Sequence, residues 1–261
     1  MYHTTGCSVE QIDIICGRIA ALIIEGEDIT YPPSLGLRRS VVIALTYLKT
    51  NRREAELAED HGTSQPTISR AITGLTPSVG RVLSEFVPTA DELDVDQQYV
   101  VDGSLLPCWS WCSDPDLYSG KHKTTGMNVQ FACTLDGELA WISDSLLGSR
   151  HDTHCFRESG ALDGFPARSW IGDKGYLGLE AVLTPIRKPA NGELLDWEKE
   201  FNTQINKIRY VIERTIANFK TWRVLHTDYR RPLNTFAETI STVIALQFLK
   251  ASHLNKPRGE K

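Results

Sequence analysis

Two hydrophobic runs in this chain stop on an aspartate beside glycine. YVVDGSLLP carries Asp102 and then Gly103, and SWIGDKGYLG carries Asp173 with Gly175 two residues on. Aspartate is a poor strand residue and is costly to bury, so each marks either a turn or a placed carboxylate. Strand ends deliver functional side chains to a sheet's rim, and a nearby glycine lets another backbone or a ligand come close. A third acid lies in NTQINKIRYVIERTIANFK, where Ile205, Ile208, Ile212, Ile216 and Phe219 form one apolar helical stripe. Glu213 stands about 100° round from Ile212 and borders that stripe. Arg209, four residues earlier, and Lys220, seven later, fall within about 40° of it, so acid and bases share one edge. Taken alone, that edge also reads as an ordinary intrahelical ion pair.

Three carboxylates drawn together repel one another, and burial raises their pKa values unless cations occupy the site. A hard divalent ion resolves the conflict. Mg²⁺ takes one or two carboxylates plus water and phosphate oxygens, and paired ions suit phosphodiester cleavage and transfer.

Other polar residues admit two readings each. Lys121 and Lys123, flanking His122 in SGKHKTTG, either border DNA beside the catalytic rim or are simply solvated. Cys108 and Cys112 with His151, His154 and Cys155 are zinc-type ligands, but their spacing is irregular and no second knuckle matches the first. Trp109 and Trp111 suit base stacking or core packing. Asp152 follows a strand and precedes a helix, where its default role is to cap that helix.

The elements that must position these groups fall into two textures. Residues 8–25 carry Ile12, Ile15, Ile19, Leu22 and Ile23 at helical spacing after Ser8, and a second helix is expected from Leu37 to Leu48. NRREAELAEDHGTSQPTISRAITGL then has helix-turn-helix punctuation over about 53–73: Ala58 allows close approach, Gly62 makes the turn, Ser64 caps with Pro66 in the first turn, and Ile68 and Ile72 pack inward. Gln65, Thr67, Ser69 and Arg70 would face outward, toward base edges or phosphates, though a plain three-helix bundle has the same turn. Residues 1–88 are thus expected as a helical domain and 89–97 as an acidic linker.

Beyond the linker the pattern alternates. QYVVDGS, MNVQFACTLDG and ELAWISDSLLG read as strands, the last two joined at Asp136-Gly137. A helix over HDTHCFRESGALDGF, a fourth strand in RSWIGDKGYLG, and helices over 199–221 and 233–253 complete an α/β layer domain over 98–255, before a tail at 256–261.

At 261 residues and 41% hydrophobic, the chain can bury a sizeable core. The start lacks the basic flank and cleavage pattern of a signal peptide, and no apolar run is long enough to span a membrane, so a cytoplasmic location without a membrane partner is expected. Six scattered cysteines argue for reduced thiols. A net charge of −5 does not announce a nucleic-acid partner, but residues 37–81 carry +3 and 199–231 carry +5. Solvated helix faces would account for charge alone.

The order Asp102, Asp173, Glu213 resembles the DDE transposase superfamily, and within it the insertion-sequence-five group and its Harbinger-type relatives. The helix motif of those enzymes is tyrosine, two residues, arginine, three residues, glutamate, six residues, lysine. Arg209, Glu213 and Lys220 match it, with Asn206 in place of the tyrosine. GSRHDTHCF is similar to the family's histidine-aspartate segment, and NFKTWRVL to the tail of its catalytic helix. The resemblance spans roughly 37–250. It implies a ribonuclease H-like mixed sheet flanked by helices, Mg²⁺ or Mn²⁺, in all two ions, at Asp102, Asp173 and Glu213, phosphate contacts from Arg209 and Lys220, and a supporting role for His151 and Asp152. It further implies cleavage at transposon terminal inverted repeats, strand transfer into target DNA, a homodimer or larger assembly on that DNA, and association with the bacterial nucleoid when bound. The rival reading is a non-catalytic DNA-binding protein, either a domesticated transposase or a regulator.

Overall fold

The computed structural model describes residues 2–108 and 115–254, the last two by backbone alone. The chain divides into two compact units, residues 1–87 with 220–261, and residues 88–219.

The first unit opens with a short helix α1 (Tyr2–Thr5) and α2 (Val9–Ile24), whose start is closed by a reciprocal Ser8–Gln11 capping box. Ile12, Ile15 and Ile19 are fully buried, as their spacing predicts. Helix α3 (Gly36–Thr50) buries Val41, Ile43, Ala44, Leu45 and Leu48, so it is apolar on more than one face and lies centrally. It ends at Asn51, whose left-handed backbone (φ 49°) lets its N–H donate to the Tyr47 carbonyl. Helices α4 (Glu54–Asp60) and α5 (Gln65–Val82) are joined through Gly62, at φ 56°. Ile68 and Ile72 are buried. Helix α5 runs nine residues beyond the expected end at 73, because Leu75, Val79 and Val82 continue its apolar stripe. Ser64 does sit at the N-cap, but its hydroxyl pairs with that of Thr67 (2.9 Å) and caps no backbone N–H.

The second unit is built on a mixed sheet. Strand β1 (Tyr99–Pro107) pairs antiparallel with β3 (Thr124–Thr134) over its whole length, with Asp102 opposite Phe131 and Gly103 opposite Gln130. Short strands β2 (Tyr118–Ser119), β5 (Leu146–Leu147) and β4 (Leu139–Ile142) pair in turn along β3. After helix α6 (Asp152–Glu158), strand β6 (Trp170–Ile171) pairs parallel to β1, and β7 (Val182–Leu183) parallel to β6. The long helix α7 (Asp196–Phe219) completes the unit.

Two corrections concern the aspartates. Asp102 is the fourth of nine residues in β1 and does not end it, because Ser104, Leu105 and Leu106 continue the ladder with β3. The fourth strand stops at Ile171, and Asp173 caps a 3₁₀ turn over Lys174–Tyr176.

Alternation in β1 sends its side chains to two different cores. Tyr99 and Val101 join Trp141, Phe156, Trp170 and Tyr176 on one face. Asp102 and its partner Phe131 face the other, where Phe131 meets Phe219 of α7 edge-on at 5.1 Å.

The last helix, α8 (Phe236–Leu254), belongs with the N-terminal helices and not, as expected, with the sheet. Its apolar surface explains this: Phe236, Ile240, Val243, Leu246 and Leu249 are fully buried, and the Thr242 hydroxyl donates to the Thr76 carbonyl of α5 at 3.1 Å. Fully buried Trp222 donates from its indole N–H to Gln247 at 3.3 Å, holding the segment before α8 in the same unit. The expected tail at 256–261 lies outside the described residues. Among the described residues, no helix is long and apolar enough to cross a membrane, and Cys7, Cys16, Cys133 and Cys155 are in no disulfide.

Candidate active site

Asp102 projects from β1 toward α7 and is only 20% exposed at its side chain. Its Oδ2 lies 3.6 Å from the Arg209 guanidinium, and its Oδ1 accepts from the Gly103 N–H at 2.9 Å. Burial pushes its carboxyl up to about 6; Arg209 opposes that shift, and the negative charges of Asp173 and Asp152 add to it. The Nε of Arg209 is buried without a hydrogen-bond partner.

Asp152 reaches the site from the opposite face of the sheet, beside the bare backbone of Gly103. A Cβ at position 103 would lie 2.3 Å from its Oδ1, so only glycine leaves room. Its carboxylate is held on both sides, by Asn128 Nδ2 at 3.0 Å and Lys121 Nζ at 2.9 Å. A directed chain stands behind it: the Tyr176 hydroxyl donates to Gln130 Oε1 at 2.6 Å, and Gln130 Nε2 donates to Asn128 Oδ1 at 2.8 Å. The chain fixes both amide orientations. Burial pushes Asp152 up, but the hydrogen bonds from Asn128 and Lys121 outweigh it and hold the carboxyl below its ordinary value. Asp152 is the first residue of α6 and His151 its N-cap position, so the expected capping role is replaced by this network.

Asp173 closes the group from the turn after β6. Its Oδ1 accepts from the Gly175 N–H at 2.7 Å, and a Cβ at 175 would stand 2.8 Å from that oxygen and 3.6 Å from Asp152 Oδ2. The Thr153 hydroxyl donates to the Gly175 carbonyl, tying this turn to α6.

Helix α7 is docked by Ile205, Ile212, Ile216 and Phe219, and by the Thr215 hydroxyl on the Gly137 carbonyl at 3.1 Å. That orientation directs Arg209 at Asp102. Glu213, one turn further on the same edge, is exposed. Among the described residues, no three His, Cys, Asp or Glu side chains stand close enough to hold a metal ion, so Asp102, Asp173 and Glu213 do not close into a ligand set. The donor types nevertheless suit a hard cation: carboxylate oxygens, two of them beside glycines, with Asp102 carrying negative charge that its surroundings leave incompletely balanced.

The sequence profile described as DDE superfamily endonuclease matches residues 101–247, more than half of the chain and all three acids. The chain belongs to the DDE superfamily of transposase endonucleases. This DDE endonuclease is 33% identical over 207 residues to a transposase of insertion sequence element IS702 from Microchaete diplosiphon, covering 76% of this chain and 75% of that one. It is 27% identical over 195 residues to a transposase of IS112 from Streptomyces albus G, covering 74% and 73%. No solved structure matches it.

The remaining expected residues of the endonuclease are spread over both units. Gln65 and Arg70 are exposed on α5, and Thr67 and Ser69 half-buried. Lys121 is bound to Asp152, whereas Lys123 is exposed in the turn before β3 at φ 52°. Lys220 is half-buried, just past the end of α7. His154 and Cys155 on α6, with His151 and Cys108, form no ligand cluster, and Cys112, Trp109 and Trp111 lie outside the described residues. Sequence reasoning missed Asn128, Gln130 and Tyr176. The trace of Asn128 and Gln130 was two polar residues at i and i+2 inside the otherwise apolar run MNVQFACT, a period-2 signature of one polar face in a buried strand; Tyr176 left none.

Proposed function

We propose that this protein is a DNA transposase that cuts at the terminal inverted repeats of its element and joins the freed ends to target DNA, with Asp102, Asp173 and Glu213 as catalytic carboxylates and two Mg²⁺ or Mn²⁺ ions as cofactor. The carrying observation is the Asp102–Arg209 ion pair, which sets the Arg209–Glu213 edge of α7 against the β1 carboxylate. The spacing of Arg209, Glu213 and Lys220 supports assignment to the insertion-sequence-five group.

Bound divalent ions would supply an activated oxygen nucleophile and charge stabilisation at the departing 3′ oxygen. Asp102 and Asp173 would hold them from the sheet side. Glu213, one turn beyond Arg209 on α7, would complete the ligand set. Arg209, once Asp102 takes up a cation, would be free to hold a non-bridging phosphate oxygen, which its planar fork fits. Lys121 and Lys123 line the approach of the strand, with His151 beside them, and Asp152 holds the geometry between the two aspartates. The helix-turn-helix of α4 and α5, with Gln65, Thr67, Ser69 and Arg70, reads the repeat in the major groove. Two ends must be cut together, so the working form is a homodimer or larger on DNA.

The test is Mg²⁺-dependent nicking of a duplex carrying the element's end. Asp102→Ala, Asp173→Ala and Glu213→Ala are each expected to abolish cleavage and preserve DNA binding. Cleavage by all three variants at the unmodified rate refutes the catalytic assignment, and binding without cleavage by the unmodified chain returns the regulator reading.

A further inference from the structure

A cleft of about 350 Å³ lies within the first unit, and its lining includes four arginines, Arg52, Arg53, Arg230 and Arg231, and one carboxylate, Glu54. The charges are not equivalent. Arg231 and Glu54 neutralise each other at 2.5 Å with side chains only 12% and 18% exposed, and Arg231 also donates to the Thr73 hydroxyl at 2.5 Å. This pair is a clasp: it fixes the segment before α8 to the start of α4 and to α5, across 177 positions of sequence. Arg52 is engaged by Glu56 and Asp60. Arg53 and Arg230 are exposed and have no acidic partner among the described residues. The clasp therefore brings two uncompensated guanidinium groups to one opening.

The cleft's remaining wall carries hydrogen-bond donors of the right kind. Gln65 and Ser69 line it from the first turns of α5. That helix has 18 residues and its Ser64 hydroxyl pairs with that of Thr67; Pro66 carries no N–H and the Thr67 N–H donates to the Ser64 carbonyl at 3.0 Å, so what the helix start adds is the positive end of its dipole. Unpaired guanidinium groups beside neutral side-chain donors and the positive end of a helix favour a tetrahedral oxyanion.

We propose that Arg53 and Arg230 clamp a backbone phosphate of duplex DNA in this cleft, so that residues on both sides of the catalytic unit in sequence form one anchor beside the reading helix α5. The proposal rests on the reading that this chain acts on DNA, and names a phosphate site for that contact. Without its own clamp, α5 could meet the groove in several registers; a fixed phosphate selects one.

The test uses the full chain in EDTA and the fluorescence anisotropy of a labelled duplex of about 30 base pairs and mixed sequence, between about 50 and 200 mM salt. Arg53→Ala/Arg230→Ala is expected to bind at least about tenfold more weakly and to lower the slope of log affinity against log salt by about one, one phosphate's worth. Each single variant is expected to lose nearly as much as the double, since both side chains hold the same phosphate. Arg81→Ala, which removes the same charge at the far end of α5 from a pair with Glu27, is expected to leave the slope unchanged. Both clamp residues are exposed, so an unaltered melting temperature will accompany the loss. Equal affinity and slope in the double variant and the unmodified chain overturn the proposal, as does an equal loss in Arg81→Ala. Calorimetry with inorganic pyrophosphate separates the sources: heat of binding that disappears in the double variant while duplex binding is untouched assigns the cleft to small phosphates and refutes the DNA clamp. Failure of Mg²⁺-dependent nicking with the arginine effects intact would remove the catalytic reading alone.

Discussion

Arg209 on α7 stands 3.6 Å from Asp102 on β1, the contact that ties the helix edge bearing Glu213 to the central strand. The guanidinium supplies the opposing charge to a carboxyl that burial pushes up to about 6. Arg209→Ala should therefore move the acid limb of kcat/KM for Mg²⁺-dependent nicking, which reports the unliganded protein, to higher pH, and Arg209→Lys should move it less. A profile whose acid limb stays in place would separate Arg209 from Asp102 ionisation.

Asp102 should also cost the metal-free protein stability. Unfolded, the group titrates near its ordinary 3.8; folded, at about 6, so between those values the folded chain holds more protons and stability falls as pH rises through the window. The full effect is up to about 3 kcal/mol. Asp102→Asn is expected to melt several degrees higher than the unmodified chain at about pH 8 in EDTA, with the gain shrinking below about pH 6 and gone near about pH 4. Added Mg²⁺ should raise the melting temperature of the unmodified chain and not of the variant.

Gly103→Ala tests the clearance above β1. Its Cβ would meet Asp152 Oδ1 at 2.3 Å and Gln130 Nε2 at 2.8 Å, so Asp152 must move. A displacement near 1 Å should lower the nicking rate by about a hundredfold. Gly17→Ala in α2, where nothing lies within 4 Å of the added carbon, should instead raise stability by about 1 kcal/mol in a denaturant titration and leave nicking unchanged.

Tyr176→Phe removes the first donor of the chain behind Asp152 and leaves Gln130 Oε1 buried without it. A loss of about 1–3 kcal/mol is expected in urea unfolding. Asn128→Ala acts at the other end by removing a hydrogen bond that holds the Asp152 carboxyl down, so its signature should be a shifted pH profile for nicking; unchanged profile and stability in both variants would make the network incidental.

Much of the architecture was legible because it is local. The helical spacing of Ile12, Ile15 and Ile19, the turn at Gly62 and the stripe along α7 each report a face that must be buried whatever it meets. The approach to Asp152 was not legible, because a capping aspartate and a networked one have the same neighbours in sequence. Only the register of β1 on β3, which sets Gly103 against Gln130, opens space above the strand. Strand ends misled for a related reason: Asp102 interrupts the hydrophobic pattern but not the backbone ladder, which continues to Pro107.

By itself the sequence determined which residues carry charge, which faces must be buried, and the order and spacing of Asp102, Asp173, Arg209 and Glu213. Tertiary structure alone decided that Arg209 and not Glu213 meets Asp102, that Asp152 stands beside them, and that α8 joins the N-terminal helices. Periodicity declares that a face will be buried but not against what, and contacts between residues far apart in the chain follow from how whole faces fit, which no short stretch encodes.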